Sequence, residues 1–227
     1  MAQKKKNANY SSEKKAAKTA EREAAKAKEK RDKNIKIAAY LAAGVAAFVA
    51  VLFGIMALCG VFSYSPEATN HASVMLDNGY SFHIELYGHE APETVEHFME
   101  LCEEGYFDGK SLHTLIDGML YGGSVVKDGG ENGIKGEFTA NGHENKVPMK
   151  KGVIALARGD ENDSGYGQFF ILTKNNSDLE GKYAAFGKIT DLDVLKKVVE
   201  SLEVSSDGTV ENAPRISSIS FHDAHEH

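Results

Sequence analysis

The hydrophobic pattern of the chain changes character twice. The first 36 residues carry almost no large apolar side chain: SSEKKAAKTAEREAAKAKEK is Ala, Lys and Glu, which predicts a solvated, partly helical tail with nothing to bury. Residues 37–62, IAAYLAAGVAAFVAVLFGIMALCGVF, then run for 26 positions without a charge. As a helix that run is roughly 39 Å long against ~30 Å of bilayer hydrocarbon, so it predicts a tilted transmembrane span. A core helix of this length would carry a polar face. The 36-residue basic stretch ahead of it is far longer than a cleaved signal peptide needs, and Leu58 is large for the residue before Cys59 of a lipoprotein cleavage box. The reading is an uncleaved signal anchor.

After a polar linker, 63–72, the pattern becomes a series of short apolar runs. Residues 73–77 and 80–87 predict two strands joined across Asn78-Gly79, a pair that tolerates positive φ at both turn positions. Ala91-Pro92-Glu93-Thr94 opens a helix, with Pro in its first turn and acids at the positive end of the dipole. Val95, Phe98, Met99 and Cys102 form its apolar stripe, and Gly105 ends it. Short strands are predicted at 112–116, 119–121, 152–157, 168–172, 183–189 and 216–221. Leu192, Leu195, Val198, Val199 and Leu202 mark a second amphipathic helix. Many short strands with two distant helices predict a mainly β domain: a closed antiparallel barrel capped by the helices.

Charge sharpens this division. Residues 1–36 hold 13 Lys/Arg and 5 Asp/Glu, a net +8; the remainder holds 13 and 28, a net −15. No Lys or Arg occurs in 63–74, so the positive-inside rule places the N-terminus in the cytoplasm and 63–227 outside, in a single-pass cell-membrane protein. The expected organisation is a basic cytoplasmic tail (1–36), a signal anchor (37–62) in contact with membrane lipid, a linker (63–72), a globular domain (73–222) and a His-rich tail (223–227). The acidic domain repels phosphates, and the basic tail lacks interleaved aromatics, so nucleic acid is not an expected partner. Cys59 and Cys102 fall on opposite sides of the linker and do not pair.

Several weaker patterns carry little. The Gly-rich stretch 122–136 lacks the Gly-Lys-Ser/Thr ending of a phosphate loop. Asp160 to Gly165 starts like a calcium loop, but Ile171 stands where the bidentate Glu belongs, so it reads as a solvated loop. His222, His225 and His227 read as a polar tail rather than a metal grip, and His97 and His113 as structural.

Three blocks, EAPETVEHFMELCEEGYFDG, GVIALARGDENDSGYGQFFILT and LEGKYAAFGKI, together resemble the cyclophilin family of peptidyl-prolyl cis-trans isomerases, in a bacterial-like form, over 73–222. The resemblance implies an eight-stranded antiparallel barrel with a helix at each end. It implies a monomer that acts on proline-containing polypeptides. Such an enzyme lowers the ~20 kcal/mol barrier to X–Pro rotation by binding the twisted amide better than either planar form, with no metal or cofactor. Carried over residue by residue, the family's catalytic Arg position is Thr114. The Phe-Met pair of the proline pocket falls on Met119 and Leu120. The following Gln falls on Gly122, or on Tyr121 if one residue is deleted. Gln168 and Phe170 match the substrate-binding Gln and the pocket wall, Leu179 the pocket Leu, and Tyr183 a position where bacterial members carry Tyr. Asp178 stands where some members have Trp. Arg158 belongs to the family's own pattern and is not read as a replacement for the missing Arg. Losing a charged transition-state donor costs roughly 10²–10³ in rate, so the expectation is a weakened, membrane-tethered isomerase assisting exported proteins. The alternative is a degenerate module that holds proline-containing segments or serves a membrane complex.

Overall fold

The computed structural model describes residues 64–124 and 133–222, with helical positions between 26 and 51 ahead of them. The chain separates into two compact units, Met1–Ser63 and Tyr64–His227. Most of the expected membrane span, the tail 223–227 and part of the Gly-rich loop lie outside the described residues. Among the described residues no helix is long and apolar enough to cross a membrane.

The second unit is an antiparallel sheet of eight strands: β1 (Asn70–Leu76), β2 (Ser81–Leu86), β3 (Leu112–Ile116), β4 (Met119–Gly123), β5 (Val153–Leu156), β6 (Gln168–Leu172), β7 (Ala185–Ile189) and β8 (Ile216–His222). Their order is β3-β4-β6-β5-β7-β2-β1-β8. The β1–β2 hairpin closes where Asn78-Gly79 predicted it, with Gly79 at φ 85 and Met75 opposite Ser81.

The expected closed barrel is corrected to an open one. The two edge strands, β3 and β8, share no ladder; Ser111 and Arg215 make one isolated bridge just ahead of them. The reason is a competing segment. The loop 204–210 lies along β3 instead: Leu115 N–H donates to Gly208 O at 2.8 Å, Val210 N–H to His113 O at 2.9 Å, and Thr114 bridges Thr209. With that edge occupied, β8 meets the far side of the seam only at its start, where Ile216 N–H donates to Lys110 O at 2.8 Å and Gly109 N–H donates to Ile216 O at 2.8 Å.

Two helices complete the unit, α1 (Pro92–Glu103) and α2 (Leu192–Glu200). Helix α1 buries Thr94, Val95, Phe98 and Leu101, with Met99 and Cys102 half-buried beside them. Its first turn is satisfied from a distance. Glu137, 3% exposed, accepts the Glu93 N–H at 3.1 Å, the Thr94 N–H at 2.8 Å and the Thr94 hydroxyl at 2.7 Å. The carboxylate thus meets both the orphan donors and the positive end of the helix dipole.

The concave side of the sheet is the main core: Phe82, Ile84, Leu112, Leu120, Ile154, Phe169, Ile171, Phe186 and Ile216 close on Phe98 of α1. Phe98 and Phe169 meet at 6.4 Å, nearly perpendicular, an edge-to-face contact. A second, smaller cluster lies on the opposite side of the same strands: Tyr87, Val147, Met149, Val153, Ala155, Phe170, Leu172 and Ala185. Phe169→Ala is expected to cost about 3–5 kcal/mol through lost burial and an unfilled cavity, read as a fall in melting temperature. An unchanged melting temperature would place Phe169 outside the core.

Candidate active site

The site is built by register. Thr114 lies opposite Tyr121, Tyr121 opposite Phe170, Phe170 opposite Ala155, and Ala155 opposite Ala185. These five positions form one row across β3, β4, β6, β5 and β7, on the convex face that carries the second cluster. Directly opposed residues of an antiparallel sheet project to the same face, so the row gathers Thr114, Tyr121 and Phe170 side by side.

Two local features set that register. The β3–β4 turn is Asp117-Gly118, with φ 52 and 83, a two-residue turn with both central residues in the left-handed region. It pairs Ile116 with Met119. A register shift between Leu112 and Thr114 then turns the chain at His113, so that Leu112 stays in the core and Thr114 joins the convex face.

With the turn so fixed, alternation along β4 sorts the expected pocket residues. Met119 and Tyr121 pack against the convex cluster. Leu120 does not: it is fully buried in the concave core. Gly122 also faces inward, where an added Cβ would come within 2.8 Å of both Leu112 and Phe169. Of the two alternatives for the family's Gln position, Tyr121 is the one on the face with Phe170. The signal legible in the sequence is the Asp117-Gly118 pair, which shortens the hairpin to two residues.

The remaining expected residues come together on the convex face. Phe170 is the floor, 0% exposed, because two tyrosines cover it. Tyr121 lies tilted against it at 5.7 Å and Tyr183 stands perpendicular at 5.1 Å. Leu179, at the end of the 3-10 turn Ser177–Leu179, packs half-buried on the same cluster, while Asp178 is exposed. The Arg158 guanidinium lies 5.1 Å over Tyr183 and 5.1 Å over Phe138. Its Nε donates to Lys182 O at 3.1 Å, and its Nη1 to Gly159 O at 2.9 Å.

Polar groups line one edge. The Thr114 hydroxyl is 2.8 Å from His113 Nδ1, and Gln168 Nε2 is 3.4 Å from His113 Nε2. A neutral imidazole that accepts from the Gln168 amide at Nε2 carries its proton on Nδ1 and donates to Thr114. Burial holds the His113 pKa below its ordinary value, which favours that neutral form. His113 is therefore part of the site edge, linking Thr114 to Gln168, a role that its place in the sequence did not reveal. The Tyr121 hydroxyl donates to the Met119 sulfur at 3.5 Å, and burial raises its pKa, followed by the proximity of Tyr183 and Asp117.

Outside this face, the described residues with other reactive side chains are already committed. Cys102 is a free thiol that burial pushes up to about 12, so it stays protonated at neutral pH. Among the described residues no group of three His, Cys, Asp or Glu side chains is arranged to hold a metal. Within the calcium-like loop, Asp163 is committed to Gly136 N–H at 2.9 Å and to the Asn141 amide at 2.7 Å. What remains is an apolar, aromatic, half-open face with hydrogen-bonding groups along one side, suited to holding an extended peptide rather than to covalent chemistry.

The comparisons agree with that class. The model of the family cyclophilin type peptidyl-prolyl cis-trans isomerase/CLD matches residues 72–221, so the chain belongs to that family and carries a cyclophilin-type isomerase domain. Peptidyl-prolyl cis-trans isomerase B of Bacillus subtilis is 33% identical over 120 residues, covering 51% of this chain and 80% of that protein. Peptidyl-prolyl isomerase cwc27 of Rhizopus delemar is 28% identical over 153 residues; the match takes in 66% of this chain and only 29% of the fungal protein. A cyclophilin type isomerase from Cryptosporidium parvum, solved in the presence of the dipeptide Ala-Pro, superposes with a TM-score of 0.58 at 21% identity, over 67% of this chain and 99% of that one.

One consequence is a pH dependence of stability. His97 on α1 lies with its ring 4.9 Å from that of Tyr166, and its buried Nε2 has no hydrogen-bond partner. Burial lowers its pKa, as it does for His113. The folded state then binds fewer protons than the unfolded chain. Stability is complete above the unfolded value of about 6.5 and is lost as pH falls through the lowered values. The melting temperature is expected to fall between about pH 7.5 and about pH 5, with a shallower slope in His97→Phe. Parallel slopes in the two proteins would remove His97 from this account.

Proposed function

We propose that the chain is a membrane-tethered prolyl isomerase that acts, as a monomer, on proline-containing segments of exported polypeptides. The observation that carries the reaction is the cross-strand row Thr114–Tyr121–Phe170, an apolar surface with donors along its edge. An X–Pro amide that twists loses its resonance, and its polarity with it, so a surface of this kind favours the twisted state over both planar ones. The side chains of Met119, Leu179 and Tyr183 would desolvate the proline ring, and Gln168 would hold the flanking backbone. Tethering is supported by the uncharged run 37–62 and by the +8 segment that precedes it.

A second reading, a module that binds proline segments with little turnover, is favoured by two specific observations. Thr114 offers no fixed charge where the family pattern has Arg, and Phe170 is fully buried, with Tyr121 and Tyr183 against it. The deciding measurement is prolyl isomerisation by the full-length chain in detergent, followed by NMR exchange on a short Ala-Pro peptide. Slow turnover above background is expected, and Thr114→Arg should raise kcat/KM by about tenfold or more. Peptide binding without any turnover in either protein would favour the holding module.

Topology is tested separately. Protease added outside intact cells, or outside protoplasts, is expected to digest 63–227 and spare the basic tail. Protection of the domain would overturn the outward orientation.

A further inference from the structure

We infer that the Tyr121 hydroxyl is the hydrogen-bond donor with which this chain stabilises the twisted prolyl amide. The inference rests on the isomerase reading above. A planar amide nitrogen is a poor acceptor, because its lone pair is delocalised into the carbonyl. When the bond twists, that lone pair localises and the nitrogen becomes a good acceptor. A donor aimed at it is therefore engaged in the transition state and idle in both ground states, the condition for raising kcat rather than mere affinity.

The polar groups of the convex face differ in what they are already doing. The Thr114 hydroxyl accepts from His113 Nδ1 at 2.8 Å and keeps its own proton, on a short side chain at the edge of the row, and the Gln168 amide turns one N–H toward His113 Nε2 at 3.4 Å. Arg158 gives its Nε and Nη1 to the backbone carbonyls of Lys182, Gly159 and Asp160. Tyr121 donates to the sulfur of Met119 at 3.5 Å, and a thioether is a weak acceptor. Its proton can pass to a stronger acceptor at little cost.

Its position suits the task. Tyr121 is the middle of the row, with Thr114 on β3 to one side and Phe170 on β6 to the other. The ring packs on Phe170 at 5.7 Å, and its hydroxyl lies 3.5 Å from the Met119 sulfur. Burial keeps the phenol protonated through neutral pH, so the donor is present throughout the physiological range. No bond is made or broken, and no proton leaves the tyrosine.

The test uses the full-length chain in detergent with a synthetic Ala-Pro tetrapeptide. Isomerisation is read by NMR exchange, binding by peptide titration, and folding by melting temperature. Tyr121→Phe keeps the ring on Phe170 and removes only the hydroxyl. It is expected to lower kcat/KM about 10–100-fold while the peptide Kd changes less than about twofold. In the wild type the Cζ carbon of Tyr121 should shift as peptide is added, a readout that does not depend on the variant. Wild-type activity that survives intact in Tyr121→Phe, or a Cζ signal that stays still at saturating peptide, would overturn the assignment while leaving the isomerase reading in place. An inactive wild type would remove the isomerase reading and this inference with it.

Discussion

Every useful feature of this domain depends on the two-residue alternation of its strands. Adjacent residues of a strand face opposite sides, so Phe169 and Phe170 serve different purposes only because β6 has one register. Phe169 closes the core against Phe98, and Phe170 underlies the convex face. A slip of one residue in β4 would bring Leu120 out and send Tyr121 in, next to core residues that already fill the space around Gly122. Burial of the concave face forbids that slip, because it would expose Leu120 and drive Tyr121 into space that Leu112 and Phe169 already fill. The site thus inherits its order from the core, through the turn at Asp117-Gly118 and the shift at His113.

The loop that follows Gly136 is held by polar groups of graded burial as well as by the buried Phe138, Val147 and Met149. Glu137 is nearly inaccessible and carries three hydrogen bonds from the start of α1. Burying a carboxylate costs several kcal/mol unless donors replace its water, and here the helix N-terminus supplies them. The same segment is pinned at two further points: Asn145 donates to Glu137 O and to Ala185 O, and Asp163 accepts from Gly136 N–H and Asn141. These contacts fix Phe138, on which Arg158 rests, and Arg158 in turn covers Tyr183. One rim of the site is therefore connected to helix α1 through a continuous set of named contacts.

The sequence revealed local elements well and long-range pairings poorly. The Asn78-Gly79 hairpin, both helices and the Gln168–Phe170 block follow from short patterns whose physics is local. The barrel seam does not: nothing in 204–210 announces that this loop takes the edge of β3 and leaves the sheet open. The cap on α1 was equally hidden, since Glu137 lies 43 residues after Thr94, whose N–H it accepts. Of the positions that the resemblance singled out, Phe170, Leu179 and Tyr183 lie together in one cluster, with Thr114 in the same cross-strand row as Phe170. The separation of Leu120 and Gly122 from Met119 and Tyr121 required knowing the length of one turn, which the Asp-Gly pair encodes and a position-by-position match ignores.

Beside the Arg158 guanidinium at its rim, the convex face carries the neutral polar groups of Thr114, Tyr121 and Gln168. A buried guanidinium must be desolvated along with its substrate, and its charge acts on the ground state as well as on the twisted amide. A phenol, a hydroxyl and a carboxamide lose less on leaving water, and their dipoles discriminate through position alone. Position is what this fold supplies most reliably: Phe170 is immobilised beneath Tyr121 and Tyr183, at 5.7 and 5.1 Å. The accessible part of this aromatic cluster is therefore the two half-buried tyrosines, with the phenylalanine packed beneath them. The aromatic floor recognised in the sequence works here as the foundation of the surface rather than as the surface itself.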